Sequence, residues 1–145
     1  MAPHSPSVLT AAQRAQLSRV PDDLPDRDIA RYYTLTPADL AFIHQHRRSV
    51  HKLGVAVQLC MLRFPGRTLM SLPDVPLRVL RAIAQQVGVE PTAFLSYGER
   101  RMTCYEHLDA IKDHYGYRTL IWQDARCVRR AIFVQAQANA QALPL

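Results

Sequence analysis

The chain has 145 residues, of which 48% are apolar and 21% are charged. This composition is typical of one globular domain and excludes a disordered chain. No run of about 18 apolar residues would cross a membrane, and the first residues lack the pattern of a secretory signal, so we expect a cytoplasmic protein. The formal net charge of +6 favours an anionic partner.

The apolar residues recur at helical spacing, and no alternating strand pattern is present. Thr36 before Pro37 is typical of a helix N-cap, and Gly88 is typical of a helix end. We predict helices over residues 8–19, 27–34, 37–47, 49–63, 76–88, 91–95, 99–115 and 120–141. The prediction is an all-α fold, a compact bundle of seven or eight helices, forming one domain over 1–145 with flexible tails at 1–7 and 138–145.

Helical periodicity also predicts which side chains form the core. In the helix at 76–88 the inward residues are Leu77, Leu80, Ile83, Ala84 and Val87, and in the helix at 99–115 they are Met102, Tyr105, Leu108, Ile111 and Tyr115. The three cysteines, Cys60, Cys104 and Cys127, lie far apart in apolar stretches. We interpret them as reduced core thiols.

One long stretch of the chain is basic without balancing acids. No Asp or Glu lies between Asp39 and Asp74, and this stretch, here called the basic window, contains Arg47, Arg48, Lys52, Arg63 and Arg67 together with His44, His46 and His51. A solvated surface normally mixes both signs, so the pattern predicts a site for a polyanion. A basic face without any partner stays open as the alternative.

The helix at 49–63 is apolar all round in its middle and polar at its ends. Such a helix is usually the central element of a bundle. Lys52 and Arg63 are separated by about 16 Å along its axis at the standard helical rise. We therefore expect a buried helix that holds cations rigidly at both ends, which is what positioning on a phosphate backbone requires.

A second pattern follows at residues 84–101. Ala84, Gly88, Val89 and Phe94 have the spacing of a helix-turn-helix. In that interpretation the side chains offered to a DNA groove are Thr92, Ala93, Ser96 and Tyr97, and the residues that reach phosphates are Arg100 and Arg101. Any two helices joined by a short glycine turn give a similar spacing, so this alternative also stays open.

The sequence contains no recognisable catalytic or metal site. His44 and His46 are two residues apart and cannot share a metal on one helix face, and His51 with Cys60 has no known ligand spacing. No glycine-rich phosphate loop or nucleophile elbow is present. We therefore expect no catalysis by this chain, no cofactor and no metal, and we interpret His107 and His114 as ordinary surface or core histidines.

Three stretches carry a resemblance to a known family: "RYYTLTPADLAFI", "HKLGVAVQLCMLRFPGR" and "VGVEPTAFLSYGERRMTCYEHLDAIKDHYGYR". Together they resemble the N-terminal domain of the large replicative transposases of the Tn-three family, from class II bacterial transposons. The resemblance spans residues 8 to 135. Arg63, Arg67 and the "ERR" at 99–101 match positions of the family's motifs.

The resemblance implies double-stranded DNA as the partner, bound at the terminal inverted repeats of a transposon, and a catalytic Asp, Asp, Glu domain with divalent metal elsewhere in the full protein. The predicted DNA contacts are Arg47, Arg48, His51, Lys52, Arg63, Arg67, Thr92, Tyr97, Arg100 and Arg101. The alternative is a helical interaction module that contacts the remainder of the transposase or another copy of it, or a truncated transposase that acts as a regulator.

Overall fold

The computed structural model describes residues 10–17, 19–71, 74–118, 130, 131 and 134. These residues form six α-helices and two 3₁₀ helices, and they contain no β-strand: α1 Ala11–Leu17, α2 Asp26–Tyr33, α3 Pro37–Ile43, α4 Ser49–Arg63, α5 Leu77–Val87 and α6 Arg101–Tyr115, with 3₁₀ helices at Leu69–Ser71 and Pro91–Glu99. The all-α prediction is confirmed. The predicted tails, Cys127 and nearly all of the helix at 120–141 lie outside the described residues.

Contacts divide the chain into two compact units, Met1–Ile111 and Lys112–Leu145. That residues 1–145 form one domain stays a prediction. The core and the site described below belong to the first unit. Across the described residues, every helix is too short or too polar to cross a membrane.

Helix α4 is the centre of the first unit. Every residue from Leu53 to Met61 is buried, and the helix packs against α2, α3, α5 and the 3₁₀ helix Pro91–Glu99. The 3₁₀ helix approaches closely because residue 54 is a glycine: a Cβ there would fall on the ring of Tyr97, well inside van der Waals contact. The predicted central helix is confirmed, and Gly54 sets how near its neighbour lies.

The ends of two helices follow the predicted local chemistry. The Thr36 hydroxyl accepts a hydrogen bond from the Asp39 amide at 3.2 Å, and the Asp39 carboxylate accepts one from the Thr36 amide at 2.9 Å. This reciprocal pair is a capping box that begins α3. Helix α5 ends at Gly88, whose φ of +76° favours glycine.

The predicted inward faces need two corrections. Met102 and Tyr105 are 69% and 46% exposed; α6 instead buries the stripe Cys104, Leu108 and Ile111. Cys104 fixes this rotation, because its carbonyl accepts a hydrogen bond from buried Gln58 at 3.0 Å. Leu77, the first residue of α5, is 54% exposed, and the buried stripe of α5 is Val79, Leu80, Ile83, Ala84 and Val87.

Candidate nucleic-acid interface

A cleft of about 410 Å³ brings together two segments that are far apart in the sequence. Its lining residues come from the start of α4 and from the junction of the 3₁₀ helix with α6: Arg48, Val50, His51, Ser96, Tyr97, Glu99, Arg100 and Thr103. Four of the predicted DNA contacts, Arg48, His51, Tyr97 and Arg100, therefore lie around one cavity. Among the described residues that line it, Glu99 is the one acid, so two guanidinium groups dominate its charge.

Tyr97 forms the inner wall of this cleft and is only 3% exposed. Gln58 Nε2 donates a hydrogen bond to the Tyr97 phenolic oxygen at 2.6 Å, and that oxygen lies 2.8 Å from Nδ1 of His107. Burial raises the pKa of the phenol. The predicted groove contact by Tyr97 therefore needs correction: its ring belongs to the core, and it anchors the cleft to α4 and α6.

His107 lies against Tyr97, and two further histidine rings lie against His107; we call His46, His51 and His107 the histidine cluster. The His107 ring stacks on Tyr97, and its centroid lies 4.9 Å from that of His46 and 5.0 Å from that of His51. Burial, followed by the charges of His46 and His51, lowers the pKa of His107 to about 4. Burial, followed by His51 and Lys52, lowers the pKa of His46. Both rings are thus held neutral at pH 7.

The histidine cluster is not arranged as a metal site. Within the described part of the chain, no three His, Cys, Asp or Glu side chains are grouped so that they could hold a metal ion. The rings of His46 and His51 instead each meet that of His107 edge to face. His107 stacks on Tyr97, and its Nδ1 is engaged with the Tyr97 phenolic oxygen.

Four other predicted contacts, Arg47, Lys52, Thr92 and Arg101, do not line the cleft. Arg47 is exposed in the loop before α4, and Lys52 is half-buried in the first turn of that helix. Arg101 lines a different cavity, of about 460 Å³, beside Leu69, Met70, Val75, Phe94 and Leu95. Thr92 is exposed at the start of the 3₁₀ helix. These residues stay predicted DNA contacts.

Arg63, at the other end of α4, is held by an acid of the fold. Its two terminal nitrogens each donate to one carboxylate oxygen of Asp39 at 2.8 Å, and Asp39 is only 2% exposed. The same carboxylate caps α3. The predicted phosphate contact by Arg63 competes with this bidentate pair. Arg67 is exposed beyond the turn that follows α4.

Comparison with known proteins defines the family. A family model described as "Domain of unknown function (DUF4158)" matches residues 8–145. The chain belongs to this family. The transposase of transposon Tn501 from Pseudomonas aeruginosa is 34% identical over 138 residues, which is 95% of this chain but 14% of that protein.

Two further relatives of this DUF4158 domain are transposases as well. That of Tn1546 from Enterococcus faecium is 30% identical over 95% of the chain and 14% of its own length, and that of Tn21 from Escherichia coli is 38% identical over 77% of the chain and 11% of its own length. The resemblance to an N-terminal transposase domain is confirmed. The chain spans about a seventh or less of each of these relatives.

The helix-turn-helix interpretation of the DUF4158 domain is met only in part. Gly88 makes the predicted turn, but the element that follows, Pro91–Glu99, is a 3₁₀ helix. Phe94 stacks on Tyr97 with ring centroids 5.9 Å apart, so the inner side of that helix is fixed to the core. Reading of bases from its outer side, by Thr92, stays a prediction.

Sequence reasoning missed His107, Gln58 and Glu99. The partners of His107, which are His46, His51 and Tyr97, come from other elements of the fold. No local spacing marks such a group. One weak signal was available: Gln58 is a polar residue in the middle of an otherwise apolar helix, and a buried amide implies partners that the fold must supply.

Proposed function

We propose that this domain binds double-stranded DNA at the terminal inverted repeats of a transposon, as the N-terminal part of a replicative transposase in the bacterial cytoplasm, in association with the nucleoid. The observation that supports the proposal best is the cleft that Arg48, His51 and Arg100 line together. In this proposal the chain contributes binding, and cleavage and joining of DNA strands belong to other parts of the transposase.

The cleft suits a phosphate group of a DNA backbone. Guanidinium groups of Arg48 and Arg100 on its rim would each donate to phosphate oxygens and release condensed counterions. Arg47 and Lys52 continue the positive charge along the start of α4. Because the middle of α4, from Leu53 to Met61, is buried, the start of this helix is held rigidly, and Lys52 loses less entropy on binding than a cation on a mobile chain.

Fluorescence anisotropy with two duplexes tests the proposal. One duplex carries the terminal inverted repeat of the transposon and the other carries the same bases in scrambled order, each titrated at a low and a higher salt concentration. We expect at least about tenfold tighter binding to the repeat and weaker binding to both duplexes at higher salt.

The outcomes separate parts of the proposal. Equal affinity for both duplexes would contradict sequence-specific recognition and leave a non-specific DNA-binding domain. Absence of binding to either duplex at low salt would contradict DNA binding as a whole.

A second function, a protein-interaction module, is supported by the cavity of about 460 Å³ beside Phe94 and Leu95. Leu95 is 80% exposed, and exposed apolar surface of this kind often marks a protein contact. The partner would be the remainder of the transposase or another copy of it, and the domain on its own would act as a regulator. Sedimentation over a hundredfold concentration range tests self-association, and Leu95→Ser should weaken it.

A further inference from the structure

The histidine cluster and the cleft share a wall. His51 and Tyr97 both line the cleft. His107 lies behind both residues, against Tyr97 through a contact of 2.8 Å and against His51 with ring centroids 5.0 Å apart. A charge placed in the cleft therefore lies beside an imidazole side chain of its wall, that of His51.

The hydrogen bonds around His107 define where a proton can go. Gln58 Nε2 donates to the phenolic oxygen of Tyr97, so the phenol can donate its own hydrogen to Nδ1 of His107. Neutral His107 then carries its hydrogen on Nε2. Because Tyr97 and Gln58 fix this neutral form, the ring that is exposed to the cleft and able to accept a proton is His51.

The groups that face the cluster are mostly positive in the unliganded domain. Arg48, Glu99, Arg100 and Tyr97 line the cleft with His51, and Lys52 acts on His46 from the same helix. Arg47 is exposed in the loop that also carries His46. These cations disfavour a further positive charge, and one carboxylate, Glu99, opposes them. A phosphate in the cleft would reverse that balance.

We propose that binding of a DNA phosphate in the cleft is coupled to uptake of a proton from solvent by the histidine cluster, at His51. This inference rests on the proposed DNA-binding function. The phosphate stabilises the imidazolium form of His51, and by linkage the protonated domain binds DNA more tightly than the neutral one. Affinity should therefore rise as pH falls toward 6.

The size of the effect has a clear limit. Uptake of one whole proton changes affinity tenfold for each pH unit, and uptake of a fraction changes it by less. We expect roughly threefold tighter binding per unit between about pH 8 and pH 6, because histidine is the side-chain type whose ordinary pKa lies close to this range.

Anisotropy titrations with one duplex at constant ionic strength measure this slope. We expect His51→Gln to lose most of the pH dependence. The matched control is His44→Gln, because His44 is an exposed histidine of the same basic window that does not line the cleft; this variant should keep the slope of the original domain. Equal slopes in His51→Gln and in the unsubstituted domain would overturn the assignment to His51.

A second measurement needs no variant. Calorimetric titration of the unsubstituted domain with DNA at pH 7, in two buffers of different ionisation enthalpy, gives the number of protons taken up directly. About half a proton is expected, because a threefold change in affinity per pH unit corresponds to uptake of about 0.5 proton. Binding with zero uptake would overturn proton coupling while leaving DNA binding intact, whereas absence of binding at every pH would overturn both proposals.

Discussion

The two ends of α4 are similar in sequence and different in the fold. Each end is basic, with Arg48 and Lys52 at one and Arg63 at the other. In the structure, Arg63 is held by buried Asp39 through two hydrogen bonds, while Arg48 lines an open cleft together with Arg100. A basic sequence pattern therefore does not tell which cations the fold uses for itself, because the deciding acid lies 24 residues away in the chain.

The largest expected effect is on the free energy of unfolding. It comes from Gly54 in the centre of α4, where the helix packs against Tyr97 of the cleft wall. In Gly54→Ala the new methyl group would occupy the place of the Tyr97 ring. Overpacking of this kind costs about 3 kcal/mol or more, and the better helix propensity of alanine returns about 1 kcal/mol of that. We expect a net loss of roughly 2 to 3 kcal/mol in the free energy of unfolding, measured by urea denaturation.

Gly98→Ala is the matched control, since nothing lies within 4 Å of a Cβ at that position. It should change the free energy of unfolding by less than about 0.5 kcal/mol. If both alanine variants were equally stable, Tyr97 would not be wedged against α4, and the rigid inner wall of the cleft would be contradicted.

The next effect concerns the other end of α4. Arg63→Ala would leave the carboxylate of Asp39, which is 2% exposed, without its bidentate partner. Removing one member of a fully buried ion pair costs about 3 to 5 kcal/mol, but the Arg63 side chain is 30% exposed, so we expect about 2 kcal/mol. Urea denaturation should show this loss.

The comparison between the two ends requires a matched measurement of DNA affinity. For the folded domain, Arg63→Ala should bind DNA within about twofold of the original affinity, since its guanidinium is already engaged. A loss of DNA affinity without any loss of stability would reverse our assignment of the two ends and restore Arg63 as a phosphate contact.

The third effect is on binding. Replacing Arg48 and Arg100 together by Ala removes both guanidinium groups of the cleft, and we expect about tenfold weaker binding to DNA, equivalent to about 1.4 kcal/mol. The salt dependence should also fall, by about one unit of slope for each phosphate that the variant no longer neutralises. Anisotropy titrations at several salt concentrations measure both quantities.

Arg19→Ala provides a control for charge alone, because Arg19 is exposed and lies outside the basic window. It should lower the affinity by less than about twofold. A similar loss from Arg19→Ala and from Arg48→Ala would indicate that total charge, and not the cleft, governs binding. Stability should be unchanged in the Arg48 variant, whose side chain makes no capping hydrogen bond.

Local patterns predicted most of the fold. Thr36, Pro37 and Gly88 marked helix ends because capping depends on neighbouring residues, and the all-round apolar middle of α4 predicted its burial. The exposure of Met102 was not predictable from spacing, since the stripes through Met102 and Cys104 are both apolar in the sequence. The choice between them depends on Gln58, which contacts α6 through the fold.

The candidate site was predictable to a smaller degree. Arg48 was found from the basic window and Arg100 from the separate pattern at residues 84–101, but only the fold brings the two into one cleft. The pairing of Arg63 with Asp39 and the burial of Tyr97 were missed. Each depends on a contact between separate elements, and neither has a signature within one turn of helix.

The smallest expected effect is a pH dependence of stability that originates behind the cleft. The pKa of His107 is lowered to about 4 in the folded domain, against about 6.5 in an unfolded chain. Between these values the unfolded state binds more protons than the folded state. The contribution of neutral His107 to the free energy of unfolding is therefore fully present above about pH 6.5 and is lost as pH drops toward 4. The ring is half-buried, and after discounting for solvent screening we expect a loss of about 1 kcal/mol.

Urea midpoints at pH 7 and pH 4.5 measure the loss, and His107→Asn, whose side-chain oxygen can still accept from Tyr97, should reduce it. Since other ionisable groups contribute equally in both proteins, the difference between them isolates His107, and an identical fall in both would mean that this ring is as free to protonate as an exposed histidine.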